Sequence, residues 1–160
     1  MDMDQAFIDM MVPHHQAAVE MAKIAQQRAT HEELRTLAEA IVGAQETEIE
    51  QLREWRRAWF GSSDTPGMDA MPLLPGMEGH AMDGKMDMTA DIEALRTADP
   101  FDRALIKAMV PHHETAIAAA RAIGESTERS ELKQVAADMI ESQQHEIDQM
   151  QGWLAVWYPG

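Results

Sequence analysis

The sequence predicts an all-α fold: a ferritin-like four-helix bundle built from two tandem helical hairpins with a long Met/Gly-rich crossover. Two observations predict it. The block Met11-Val12-Pro13-His14-His15 returns unchanged as Met109-Val110-Pro111-His112-His113, an offset of 98 residues. That offset holds without a gap from Asp4–Phe60 to Asp102–Tyr158, and 19 of the 57 aligned pairs are identical. Such a match is a tandem duplication. The second observation is that most shared residues are apolar and fall at helical spacing. Residues 1–160 are therefore expected to form one domain, with hairpins over 4–60 and 102–158 and a linker over 61–101.

The first helix is expected over residues 4–29. Phe7, Ile8, Met11, His15, Ala18, Val19 and Ala22 share one stripe. Pro13 predicts a kink or a restart, because it removes an intrahelical donor. Thr30 and Glu33 fit a capping box, which opens a second helix running to about Trp59. Its stripe includes Leu34, Leu37, Ala38, Ile41, Gln45, Glu48, Ile49, Leu52, Trp55 and Trp59. A connection this short makes the two helices antiparallel.

The linker differs in kind. Gly61, Gly67, Gly76, Gly79 and Gly84, with Pro66, Pro72 and Pro75, exclude a long helix before about position 88. A short helix capped by Thr89 is expected over Thr89–Arg96. Asp99 and Pro100 then read as the N-cap and first position of a third long helix. It is expected to run to about Ile123, with Gly124 just past its end. The fourth runs from about Glu128 to Trp157. Each hairpin buries its stripe only against the other, and the four tryptophans read as core and helix-end packing.

Composition narrows the function. A formal charge of −15 argues against nucleic acid and anionic membranes and favours cations as partners. No apolar run is long enough to span a membrane, and the opening residues show no signal peptide. Cysteine is absent, which removes disulfides, thiolate metal sites and thiol nucleophiles. Methionine is the outlier, at 14 residues.

The polar residues on the inward stripes carry the functional question. His15 lies at the centre of the first stripe, and His14 lies at its margin, level with Met10 and Met21. Gln45 and Glu48 face inward from the second helix. The duplication repeats the set as His113, His112, Gln143 and Glu146. Buried polar groups need partners, so two His-Gln-Glu sets are expected to converge near the bundle axis. Three readings stay open: a metal site, a structural or interaction module whose histidines only hydrogen-bond, and a metal-dependent oxidoreductase. A di-iron oxidase needs more inward carboxylates than Gln-x-x-Glu and His-His supply. His31 and His145 lack counterparts in the other copy and read as surface residues.

Imidazole beside thioether favours a soft ion such as Cu(I) over hard cations. The linker extends that preference, with Met68, Met71, Met77, His80, Met82, Met86 and Met88 as a second capture set. Adaptable filler is the alternative reading of those methionines.

The pattern Phe101-Asp102-x-x-Leu105-Ile106-x-x-Met109-Val110-Pro111-His112-His113-x-x-Ala116-Ile117, followed by Gln143-x-x-Glu146-Ile147-x-x-Met150-x-x-Trp153, resembles domain-of-unknown-function 305. The first copy matches at 7–19 and 45–55, with Leu52 where the motif has Met. The resemblance implies a ferritin-like four-helix protein exported to the periplasm or cell surface. Some members of that family bind copper or silver and protect against excess metal. Carried over, Met11, His14, His15, Met109, His112 and His113 become ligands, with Glu48 and Glu146 beside them. The expected function is binding of Cu(I), with Ag(I), Cu(II) or another transition metal as alternatives, for sequestration, delivery or resistance. A homo-oligomer and a copper-transfer partner both remain open.

Overall fold

The structure, a computed structural model, describes residues 2–69, 71, 72, 74, 85, 86 and 88–160. In chain order the elements are α1 (Met3–Arg28), α2 (Glu32–Phe60), β1 (Met71–Pro72), β2 (Lys85–Met86), α3 (Thr89–Leu95), α4 (Phe101–Ser126) and α5 (Ser130–Trp157). The pairs α1–α2 and α4–α5 are the two expected hairpins, and they meet chiefly through α1 against α4. No helix among the described residues is long and apolar enough to cross a membrane.

Pro13 does not break α1, which runs unbroken through it. The lost donor costs roughly 3 kcal/mol in an isolated helix. Here every residue from Met10 to His15 is buried, and that packing holds the backbone in place. Asp2 caps α1 by accepting from the backbone N–H of Asp4 at 2.8 Å and of Gln5 at 3.2 Å. Gly61 ends α2 in the left-handed region at φ 87°, a conformation that favours glycine.

Two apolar clusters form the core, and each draws on all four long helices. One joins the second half of α1, the start of α2 and the first half of α4, with Ile147 and Met150 of α5 and Ile92 and Leu95 of α3. The other joins the first half of α1 to the second half of α4, with Leu52 of α2, Leu132 and Met139 of α5, and Leu74 of the crossover. The histidine pairs lie at the middle of α1 and α4, between the two clusters.

The start of α2 departs from expectation. Thr30 is not its N-cap, and the residue in that place, His31, makes no side-chain cap bond. The cap comes from the other hairpin. Asp102 accepts from the backbone N–H of Thr30 at 2.9 Å and of His31 at 2.8 Å, and it meets His31 Nδ1 at 2.6 Å. His31 is therefore no simple surface residue: its ring stacks on Trp157 at 3.6 Å between centroids.

The duplication repeats this latch with altered chemistry. Asp4 corresponds to Asp102 and receives Arg129 Nη1 at 2.5 Å. Arg129 corresponds to His31 and lies 4.2 Å over the ring of Trp59, the counterpart of Trp157. Each hairpin thus supplies the carboxylate that fastens the turn of the other.

Two further boundaries were misplaced by local signals. Gly124 lies inside α4, which continues to Ser126 before Thr127 turns to extended backbone. It has no positive φ, so it serves as a helical residue rather than as a stop. The third long helix begins at Phe101 with Pro100, not Asp99, at the N-cap position.

The crossover folds back on itself. Met71 pairs with Met86 and Pro72 with Lys85 in antiparallel register, and the Met88 N–H donates to the Met68 carbonyl at 3.2 Å. Arg28 fastens the end of this segment through the carbonyls of Leu95 at 2.5 Å and Ala98 at 2.8 Å. Met77, His80 and Met82 of the expected linker set lie outside the described residues.

Replacing Asp102 by Ala removes acceptors from two backbone N–H groups and the partner of His31. The expected loss is roughly 2–3 kcal/mol. Asp4→Ala, which removes a carboxylate bonded only to Arg129 among the described residues, should cost less. Urea denaturation of the two variants checks this, and equal losses would contradict the capping role of Asp102.

Candidate metal centre

Helical periodicity puts His14 and His15 on the buried side of α1 and His112 and His113 on that of α4. All four are buried, with fractional exposures of 1%, 0%, 7% and 0% in that order. The rings of His14 and His112 stack across the α1–α4 contact, with centroids 3.6 Å apart and planes 19° from parallel. The inner pair reaches outward instead. His15 Nε2 lies 2.6 Å from Glu48 Oε1 on α2, and His113 Nε2 lies 2.7 Å from Glu146 Oε1 on α5. Both glutamates are partly exposed, so each links a buried imidazole to the surface.

This geometry assigns protons. A carboxylate accepts, so Nε2–H of His15 and of His113 donates, and in the neutral ring the lone pair lies on Nδ1. Those two Nδ1 atoms are buried without a partner, as are both ring nitrogens of His14 and Nε2 of His112. Each such orphan costs about 1–3 kcal/mol if it stays unpaired. Five in one layer is far outside the usual economy of a protein interior. The expected glutamine network does not supply the missing partners. Gln45 and Gln143 are both buried, and Gln45 Oε1 is itself unpartnered.

Burial pushes the His14 pKa well below its ordinary 6.5, and the neighbouring His112, His15 and His113 push it the same way. The backbone of His112 offsets part of this, although neither His14 nitrogen has a hydrogen-bond partner. His112 is lowered by the same causes, first burial and then His113 and His15. Both rings are therefore neutral at pH 7, and a neutral imidazole is a metal ligand.

The donor set fits a soft ion better than a hard one. Among the described residues, no three His, Asp or Glu side chains are grouped to hold an ion by themselves. An ion in this layer would therefore draw on the thioethers as well. Met10, Met11, Met21 and Met109 are all buried on the same two helices. Met10 and Met11 lie one turn before His14 and His15, and Met109 lies one turn before His113. The carboxylate that each inner histidine contacts is the usual partner of a ligating imidazole, fixing its tautomer.

Sequence reasoning brought the histidines and glutamates to one layer, but it did not single out a histidine stack. It also missed the reach of the crossover. Met88 is buried against the core, and Met68 packs against the same cluster. Met71 and Met86 are placed only as paired strand positions. The expected surface residue His145 is exposed.

Acid should unfold the metal-free protein through the stacked pair. Below pH 6.5 the unfolded chain takes up protons that native His14 and His112 refuse, so stability falls as pH falls. Above 6.5 this contribution is flat. The slope is about 1.4 kcal/mol per pH unit for each such histidine. Urea denaturation between pH 5 and 8 should show it, and His14→Leu with His112→Leu should remove most of it. An unchanged slope in that variant would contradict the assignment.

Comparison with known proteins adds to this geometry. The family model described as Domain of unknown function (DUF305) matches residues 4–154. Among solved structures, CopM in the Cu(I)-bound form shares 38% identity, covering 99% of each chain at a TM-score of 0.81. CopM in the Cu(II)-bound form shares 42% identity, covering 97% of each chain at 0.81. A DUF305 protein from Streptomyces coelicolor, described as secreted, shares 30% identity at 0.79, covering 96% of this chain and 91% of its own. No curated protein matches the sequence.

Proposed function

Since the chain belongs to the DUF305 family, some of whose structures carry copper, we propose that it is a copper-binding protein acting in sequestration, delivery or resistance. The observation that carries this reading is the layer of five unpartnered imidazole nitrogens between the two apolar clusters. A purely structural network would have paired them. Copper is the cargo, and Cu(I) is the form that imidazole and thioether together favour. His14, His15, His112 and His113 supply the imidazoles, with Met10, Met11, Met21 and Met109 as the thioethers. Glu48 and Glu146 hold the inner rings in the tautomer whose Nδ1 faces the metal. The likeness to CopM in Cu(I)- and Cu(II)-bound forms supports the metal, and the likeness to a protein described as secreted supports export. The crossover methionines form a second capture set, in which Met68 and Met88, and Met71 and Met86, are brought together by the backbone.

His15→Ala with His113→Ala, set against Met11→Leu with Met109→Leu, tests the core. Both double variants should lose Cu(I) affinity, because both donor types contribute. Cu(I) in excess should raise the wild-type melting point, with about 2.7 kcal/mol of stabilisation at 100 times Kd. Hydrogen-bonding histidines would instead give a stability loss in the first variant and a nearly silent second one. A wild-type melting point that ignores copper would overturn the proposal.

The crossover is tested separately. Replacing Met68, Met71, Met77, Met82, Met86 and Met88 by Leu removes sulfur while keeping apolar bulk. Cu(I) stoichiometry by equilibrium dialysis should fall while the melting point barely moves. An unaltered stoichiometry would make those methionines packing.

A further inference from the structure

The two copies of the motif are not equally covered, and the difference lies at one helix face. In the first copy Pro13 is buried and His14 is 1% exposed, beneath the crossover that packs β1 and Leu74 against α1. In the second copy the equivalent Pro111 is exposed and His112 is 7% exposed. His112 is thus the member of the imidazole layer that comes nearest the surface. It lines a cleft of about 400 Å³ between α3 and α4, together with Met88, Asp91, Lys107, Pro111 and Glu114.

Each wall contributes something a cation needs. Asp91 from α3 and Glu114 from α4 are exposed carboxylates, opposed by the single ammonium of Lys107. Met88 brings a buried thioether to the same cleft and is the last methionine of the crossover. Behind them stands His112, more than nine-tenths buried, with its Nε2 unpartnered. Acidic residues alone would be a solvated surface. Here they border a thioether and an imidazole that lead inward.

We propose that the α3–α4 cleft is the port through which copper reaches the buried layer: Asp91 and Glu114 attract the ion, Met88 binds it, and His112 takes it inward. This inference rests on the proposed copper function and adds a route and a direction to it. On the pseudo-equivalent face of α1 Met10 is buried where the second copy has the half-exposed Ala108, and His14 does not line the cleft that Gln16 forms with Met68. The port also joins the two donor sets that the sequence keeps apart, because Met88 belongs to the crossover and His112 to the core.

The test is the rate of Cu(I) transfer to the full-length protein from a chromophoric Cu(I) chelator, followed by stopped-flow absorbance. Ala108→Phe fills the cleft from its wall and should slow transfer at least tenfold without changing the final stoichiometry. Gln16→Phe, on the corresponding face of α1, should leave the rate within twofold of wild type. Asp91→Asn with Glu114→Gln should slow transfer severalfold and flatten its dependence on ionic strength. This pair lies on the exposed surface and carries the test should Ala108→Phe fail to fold by circular dichroism. Unchanged rates in the cleft variants, or slowing by Gln16→Phe instead, would overturn the port while leaving copper binding intact. A wild-type protein that takes up no Cu(I) would overturn both.

Discussion

His14 and His112 can share one apolar layer only while both are neutral. The stack of His14 on His112 at 3.6 Å makes that condition strict, because two imidazolium rings at that distance would repel in a medium of low dielectric. The rest of the architecture follows from it. The apolar clusters lie on either side of the layer, so water has little access to it. The two carboxylates that could stabilise a positive ring contact only the inner histidines and are themselves partly exposed. The outer pair has no such support and is held as a base. Such an unpartnered pair is chemically unfinished, and a cation with affinity for nitrogen and sulfur would finish it.

The duplication gives near-symmetry, and the crossover removes it. Leu74 is fully buried in the cluster that holds Phe7, Met10 and Met11 of α1, whereas α3 leaves the matching part of α4 with an open cleft. Two copies of one motif therefore meet different surroundings. Substitutions between them agree with that difference, since Met10 is replaced by Ala108 and Ala17 by Thr115.

Much of this was legible because helical periodicity is a local rule. The long helices, their inward faces and the His15–Glu48 and His113–Glu146 pairs could be read from spacing alone, whereas the expected glutamine links did not form among the described residues. The features that escaped are those joining distant parts of the chain. Asp102 caps a turn 71 and 72 residues away, so Thr30 and Glu33 offered a capping box that the fold does not use. His14 stood at the margin of a stripe, and only the meeting of α1 with α4 turned that margin into a stack. Gly124 carried a stop signal that the packing of α4 overrode. The crossover had no period to read, so the positions of Met88 and Leu74 could not be anticipated.

The reciprocal latch has a consequence for what counts as a unit in this chain. Asp102 belongs to the second hairpin by sequence but completes the turn of the first, and Asp4 does the reverse. The first hairpin alone would leave Asp4 with nothing to fasten and the N–H groups of Thr30 and His31 without their acceptor. Two identical hairpins could satisfy both needs only by exchanging carboxylates across a twofold axis. The 160-residue chain therefore carries within itself the contacts of a symmetric dimer. Covalent fusion of its halves freed each copy to change alone, and His31 facing Asp102 where Arg129 faces Asp4 is a trace of that freedom.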